Sequence, residues 1–340
     1  MNPLIAVETD LEPDDVFALY LLHKGFRFHH VVVGEGDADI KVARARQYLQ
    51  LLGSDATVVR GHCSDKQFDQ DGKEFADLTV EAPPTPTPDA YVTTLRRYIS
   101  STTDPIIVLL KPPRELMESA KILKDDLKTV TLYLYGGFNL RCLLGVHAPD
   151  EITTMLSAFK EVQIYESFHA VGVDNTINRQ TDPTLHLIML YMASKDPYIA
   201  TLLTLNELWN RSLMADCHKT CEGLLKGPVT EIFAEMDSPD PKAVIRKAGI
   251  KEDRQVEKFY RNWKAYSSIH GHETFQFVMA DMCAVTAFLS DRFSRYRHPA
   301  EVTIDPVGYT KFTPKPSTVS YYQGIPREKM IEEMIRILVA

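Results

Sequence analysis

Five carboxylates lie within eight residues near the start of the chain, in the stretch Ile5-Ala6-Val7-Glu8-Thr9-Asp10-Leu11-Glu12-Pro13-Asp14-Asp15. Like charges packed into one turn repel each other unless some are exposed, protonated or bound to a cation. A bound cation is the chemistry this pattern could do. The competing reading is structural, because Glu-Pro-Asp-Asp is an ordinary way to begin a helix, with proline at the first position and acids in the first turn. A short acidic loop behind a first strand also serves Mg²⁺-dependent phosphoryl transfer, so a metal alone leaves the reaction class open. A second anomaly lies far along the chain. Asp281 sits in Thr274-Phe275-Gln276-Phe277-Val278-Met279-Ala280-Asp281-Met282-Cys283-Ala284-Val285, which is apolar on nearly every face and reads as a buried helix. A carboxylate is seldom buried unless paired or bound to metal.

The elements that must position these groups follow from the apolar pattern. Leu4 to Val7 is a short apolar run and reads as a buried strand whose C-terminal end carries the acids, with a helix from Asp14 to about Lys24 behind them. Strands at Phe28 to Val33 and Thr57 to Val59, with a helix from about Ile40 to Leu52, complete a β-α-β-α-β opening. That alternation predicts parallel strands with right-handed crossovers. Residues from Ser64 to Asp89 are polar and proline-rich and are expected to form a surface excursion. The alternation then resumes: helix Ala90 to Ser100, strand Pro105 to Leu110, a helix opened by Lys111-Pro112-Pro113 and running to about Leu123, and strand Val130 to Leu134. Helix Ile152 to Lys160 and strand Val162 to Tyr165 follow. Ligands of such sheets bind outside the carboxyl ends of the strands, where polar and glycine-bearing loops gather. The second half reads as mainly helical, at Thr184 to Ala193, Pro197 to Arg211, Pro228 to Met236 and Arg254 to Trp263, with Ser238 to Pro241 as a connection. A small hairpin of Ala300 to Ile304 with Thr318 to Tyr322 should precede a last helix from Arg327 to Val339.

Composition narrows the function classes. An apolar fraction of 44% and a charged fraction of 25% over 340 residues are ordinary for a globular enzyme. The net charge of −8 and a pI near 5.8 argue against a general nucleic-acid surface and for a small-molecule partner. No apolar run is long enough to span a bilayer, and Met1-Asn2-Pro3 leads into a strand and not into a secretory leader, so a cytoplasmic protein is expected. The five cysteines, Cys63, Cys142, Cys217, Cys221 and Cys283, are odd in number and widely spread, which fits reduced thiols. Cys217 and Cys221 have a C-x3-C spacing, but a structural zinc needs four ligands and no second Cys pair is present.

On these residues the chain resembles the nucleoside hydrolases, the inosine-uridine preferring N-ribohydrolases. Their D-x-D-x-x-x-D-D signature after the first strand is matched by Glu8-Thr9-Asp10-Leu11-Glu12-Pro13-Asp14-Asp15. Val108-Leu109-Leu110-Lys111-Pro112-Pro113 and Tyr135-Gly136-Gly137 resemble later pieces in the same order. Thr176-Ile177-Asn178-Arg179-Gln180-Thr181-Asp182-Pro183 resembles the family's E-F-N-x-x-x-D-P, and Ala280-Asp281-Met282-Cys283-Ala284-Val285 its late H-D-x-x-A-V. The resemblance spans nearly the whole chain. It implies one domain over residues 1–340, an open, mostly parallel α/β sheet flanked by helices with a small C-terminal hairpin, and a possible dimer or tetramer.

The resemblance also implies a Ca²⁺ ion held by Asp10, Asp15 and Asp281 and by the backbone carbonyl at Lys111. Asp10 would be the general base that activates the water held there, with Asp14 and Asn178 on ribose hydroxyls. Such a site suits hydrolysis of an N-glycosidic bond, whose transition state puts positive charge on the sugar. Oxygen ligands of this kind suit a hard cation.

The departures cluster where substrate chemistry is set. Glu8 replaces the first Asp of the signature, Glu35 stands where the family has a ribose-binding Asn, Lys111 replaces a Thr, Thr176 a Glu, and Ala280 the His beside the last Asp. Glu35 and Lys111 are therefore expected on the substrate, and Glu8 and Lys111 are expected to pair. His169, His270 and His272 are candidates for the missing leaving-group acid, and Arg179 could meet an anionic substrate group. Two functions follow: an N-ribohydrolase acting on an altered riboside, or a catalytically altered protein that binds a ribosyl ligand.

Overall fold

The structure is a computed structural model that describes residues 2–35, 38–62, 88–136, 149–166, 170, 176–271, 276–278, 280–304 and 310–340. Its strands are β1 (Leu4–Thr9), β2 (Arg27–Val33), β3 (Thr57–Arg60), β4 (Ile106–Leu109), β5 (Thr131–Tyr135), β6 (Glu161–Tyr165), β7 (Thr176–Asn178), β8 (Gln276–Val278), β9 (Arg297–Ile304), β10 (Thr310–Pro314) and β11 (Val319–Tyr322). The helices of the first half are α1 (Pro13–Gly25), α2 (Ala38–Leu51), α3 (Pro88–Ser101), α4 (Arg114–Ala120), α5 (Lys124–Leu127) and α6 (Pro149–Leu156). Those of the second half are α7 (Pro183–Ala193), α8 (Pro197–Leu225), α9 (Thr230–Glu235), α10 (Pro241–Lys247), α11 (Asp253–Ile269), α12 (Ala280–Leu289) and α13 (Arg327–Val339).

Nine strands form one sheet in the order β10-β9-β11-β6-β5-β4-β1-β2-β3. From β3 to β11 every neighbouring pair is parallel, and only β9, between β11 and β10, runs antiparallel to its neighbours. The chain steps outward from β1 through β2 to β3, then returns to β4 on the other side of β1. The strand order therefore reverses between β1 and β4, and a crevice opens at the carboxyl ends of those two strands.

Side chains alternate across β1. Ile5 and Val7 enter one core with α1, α2, α7, α8, α12 and α13, while Ala6 enters the other with α3 to α6. Burial of both faces explains why β1 is a continuous apolar run and not an alternating one. A satellite core closes between the end of α8 and helices α9 to α11 around Cys221, Met236, Ile245 and Phe259.

Several elements differ from the sequence reading. The apolar run over Thr274 to Val285 is divided: β8 pairs antiparallel with β7, and α12 begins at Ala280. A continuous apolar run does not by itself distinguish a strand from a buried helix, and the pairing with β7 decides it. Helix α8 continues past Arg211 to Leu225, because Cys217 continues its buried face and Cys221 carries it into the satellite core. Their C-x3-C spacing is thus one helical turn of packing, and the Cys221 thiol faces the Phe259 carbonyl at 3.7 Å. Pro241 opens α10, with the Asp240 carboxylate accepting from the Ala243 N–H at 3.0 Å. In the C-terminal hairpin, Ala300 to Ile304 pairs with β10, whereas Ser320 to Tyr322 on β11 meets Arg297 to Pro299. The excursion expected from Ser64 to Asp89 falls almost wholly outside the described residues. Among the described residues no helix is long and apolar enough to cross a membrane.

Candidate functional site

The acidic turn is built by its own backbone. Thr9 ends β1, and its hydroxyl donates to the Asp15 carboxylate at 2.6 Å while accepting the Leu11 N–H at 2.9 Å. The Glu12 N–H donates to the other Asp15 oxygen at 3.1 Å. Between them Leu11 adopts φ +58°, a left-handed conformation that non-glycine residues avoid, and its fully buried side chain holds it there. The turn therefore delivers Asp14 and Asp15 to the first turn of α1, where the helix dipole favours negative charge. Glu12 is half-buried and serves as the N-cap of α1.

A second helix start converges on the same point. Asp281 lies in the first turn of α12, which packs against α1. Asp14, Asp15 and Asp281 each offer a carboxylate oxygen within 4.8 Å of the others. The Asp14 carboxylate also accepts backbone N–H groups, including that of Asp281. Asp281 is 4% exposed, and its Oδ1 has no hydrogen-bond partner. Burial, then the charge of Asp10, pushes Asp14 up to about 7. Burial raises Asp15 well above the carboxylate range, with Asp281 and Asp10 adding to it, and raises Asp281 likewise, with Asp14 and Asp10 adding. Without a cation these groups hold protons more tightly than ordinary carboxylates do, which is the condition a bound ion would relieve. Asp10, half-buried at the end of β1, acts on all three through its charge but is not in the 4.8 Å group.

Beside this cluster lies an ionic network that the sequence reading found only in part. The expected Glu8–Lys111 pair is present at 3.7 Å, with both side chains buried. Lys111, at the end of β4, also pairs with Glu115, and Tyr91 donates to the other Glu8 oxygen. Burial pushes Glu8 up to about 7, an effect only partly offset by Lys111. Burial lowers the Lys111 pKa, but the Glu115 and Glu8 carboxylates outweigh it, and the ammonium stays charged. Glu115 in turn accepts the His62 N–H, and the His62 carbonyl accepts the Glu35 N–H at 2.8 Å. Glu35 sits at φ +62° and pairs with Arg114 at 2.7 Å. The ends of β1, β2, β3 and β4 are thus tied through one set of charges. Neither Glu115 nor Arg114 was singled out from sequence, although both follow Lys111-Pro112-Pro113 within one helical turn.

The network depends on a close approach at Gly61, where a Cβ would run into the Glu115 carboxylate and lie 3.1 Å from the Val33 carbonyl. Gly61→Ala is accordingly expected to destabilise the protein by about 1–3 kcal/mol, read as a lower urea midpoint with an unchanged m value.

Of the remaining expected site residues, Asn178 lies on β7 opposite Gln276, which brings its backbone within a few residues of Asp281 along the paired strand. Its side chain, with His169 and His272, lies outside what is described. His270 is exposed at the end of α11, its ring tilted against that of Tyr266. Arg179 is exposed in the turn after β7. Asp182 caps α7 and is held by a two-pronged pair with Arg327, at 2.9 and 2.7 Å, which anchors the loop following Asn178.

No protein-family model matches the chain, and no curated protein does so. Solved structures do. The chain aligns over 99% of itself and 99% of an inosine-guanosine nucleoside hydrolase, with a TM-score of 0.58 and 11% identity. It aligns over 100% of both chains with a plant nucleoside hydrolase, at a TM-score of 0.56 and 12% identity. For a purine-preferring ribonucleoside hydrolase from Gardnerella vaginalis the figures are 98% of both chains, 0.56 and 12%. The chain has the nucleoside-hydrolase fold, with the mostly parallel sheet and flanking helices expected from its motifs.

Proposed function

We propose, from a chain with this fold, that the protein is a Ca²⁺-dependent N-ribohydrolase, cleaving the bond between ribose and a nitrogen heterocycle. The observation that carries the reading is the buried, unpartnered Oδ1 of Asp281 held within ligand distance of Asp14 and Asp15. A carboxylate oxygen in that setting needs either a proton or a cation, and three such groups on two helix starts suit a hard ion with oxygen ligands.

In this reading Asp10, Asp15 and Asp281 hold the ion with the Lys111 carbonyl. When bound, the ion supplies Lewis acidity toward water and the sugar hydroxyls. The chain's own residues do the rest. Asp14 and Asn178 take ribose hydroxyls and orient C1′, and Glu35 reaches the sugar from the end of β2. Asp10 accepts the proton of the attacking water as its oxygen bonds to C1′ and the bond to the heterocycle breaks. The surrounding carboxylates stabilise the positive charge that grows on the sugar. Lys111 contributes through its main chain, since its ammonium is enclosed by Glu8 and Glu115.

The test is release of reducing sugar from a panel of ribosides in the presence of Ca²⁺, with Asp10→Asn as the control. Turnover should fall by about 10²- to 10⁴-fold in that variant. A wild-type protein that binds a riboside yet releases no sugar from any of them would establish a ribosyl-binding protein instead.

A further inference from the structure

Glu35 is held at the crevice by both its main chain and its side chain. The last rung of the β1–β2 ladder pairs Thr9 with Val33, and the Thr9 carbonyl then accepts the Gly34 N–H at 3.2 Å. Glu35 therefore leaves β2 at the level where Asp10 leaves β1. There it adopts φ +62°, and its N–H donates to the His62 carbonyl at 2.8 Å. Its carboxylate is gripped on one side only: Arg114 Nε–H donates to Oε1 at 2.7 Å, and among the described residues no group donates to Oε2. The grip comes from the start of α4, whose direction Pro112 and Pro113 set by fixing φ. Arg114 and Glu115 are adjacent there and reach Glu35 by different routes, Arg114 through the side chain and Glu115 through the His62 N–H. The fit is tight, since a Cβ on Gly34 would lie 3.2 Å from both Glu115 Oε1 and the His62 carbonyl.

We propose that Arg114 is a positioning residue for substrate binding, fixing the Glu35 carboxylate through Oε1 so that Oε2 is held ready to accept from a sugar hydroxyl. This rests on the N-ribohydrolase reading, in which Glu35 meets the sugar, and adds the residue that aims it. A glutamate has three side-chain torsions, and freezing them on binding costs affinity unless the protein has frozen them beforehand. Arginine suits that task. Its guanidinium is planar, stays charged at every working pH and directs its donors along fixed lines. The pair is also largely enclosed, with 21% of the Arg114 side chain and 10% of the Glu35 side chain exposed, so water competes with it less than with a pair on the open surface.

Calorimetric titration of D-ribose into the Ca²⁺-loaded protein tests this without requiring turnover. Arg114→Met is expected to weaken ribose binding about three- to tenfold, the cost of ordering one rotamer-rich side chain. Arg114→Lys keeps the charge and should lose less. Glu35→Ala should lose at least as much as Arg114→Met, and combining the two should cost no more than Glu35→Ala alone, because Arg114 acts only through that carboxylate. For uridine or inosine, whichever the wild type cleaves, Arg114→Met should raise KM by the same factor and leave kcat within about twofold, since the hydroxyl is held alike in the ground and transition states. An Arg114→Met protein that binds ribose as tightly as wild type but has a lower urea midpoint would make the pair a structural link alone, and the proposal would fall while the hydrolase reading stands. Losses that add in the double variant would overturn it equally. A wild-type protein that neither binds ribose nor releases sugar from any riboside removes both readings.

Discussion

Asp281→Asn is expected to abolish cation binding and turnover while raising the melting temperature of the metal-free protein. Asparagine keeps the shape of the buried side chain, removes one charge from the 4.8 Å group, and supplies an amide that can donate to its carboxylate neighbours. Loss of one of three carboxylate ligands should lower turnover by on the order of a thousandfold. Relief of repulsion should stabilise the metal-free chain by about 1 kcal/mol or more above pH 7, roughly 2 °C for a protein of this size. The pH dependence has a definite sign. Asp14 rises from 3.8 to about 7 on folding, and Asp15 and Asp281 also rise. The folded state therefore binds more protons than the unfolded one across that window, and the metal-free wild type loses stability as pH climbs from about 4 through 7. The advantage of the variant should be small at pH 5 and full at pH 8. Saturating Ca²⁺ should reverse the order, because only the wild type binds it. Thermal melts at the two pH values, with and without Ca²⁺ and with terbium luminescence as a binding readout, check every part. A metal-free variant that melts below wild type at pH 8 would show that the carboxylates do not oppose one another.

The features of this site that were legible in the sequence are those confined to single segments. The acids after β1 could be read because strand, turn and helix start follow within a dozen residues, and Asp281 stood out because a charge in an apolar run is rare. What brings them together is the packing of α12 on α1, which no local pattern encodes. The Glu8–Lys111 pair was accessible because β1 and β4 both end at the crevice once parallel order is assumed. Glu115 was not, since its meaning depends on the end of β3 arriving beside it at Gly61, a contact between segments more than 50 residues apart. β8 was read as helix because three residues are too few to show a period, and only its ladder with β7 identifies it. Helix α10 was missed for a different reason. Asp240-Pro241 has the cap and first-turn proline of a helix start, but the neighbouring Ser238-Pro239 made the whole stretch resemble a connection.

Lys111→Met should be the costliest single change in the ionic network, and its cost should grow with pH. The ammonium is wholly buried between Glu8 and Glu115, so its removal leaves two carboxylates facing each other with Tyr91 and the His62 N–H as their remaining donors. Breaking a buried pair in this way costs about 3–5 kcal/mol, because the partner charge stays behind without compensation. Glu8 limits the loss at low pH. It rises from 4.5 to about 7 even with Lys111 present, so below that value it can take up a proton and cease to repel Glu115. Deleting Lys111 raises Glu8 further and releases Glu115, which Lys111 holds below its ordinary value, so the folded state binds more protons than it does in the wild type. The deficit relative to wild type should be modest near pH 5 and reach its full size above pH 8. A second substitution separates lost charge balance from lost packing. Glu115→Gln keeps an oxygen for the His62 N–H and removes one of the two stranded charges, so Lys111→Met with Glu115→Gln should recover much of the stability at pH 8 and little at pH 5. Urea denaturation of the wild type, both single variants and the double variant at the two pH values measures the coupling directly. If the double variant is no more stable than Lys111→Met at pH 8, Lys111 supports the strand ends by packing alone. Because Glu115 leads through His62 to the backbone of Glu35, the single Lys111 variant should also weaken riboside binding, raising KM more than it lowers kcat.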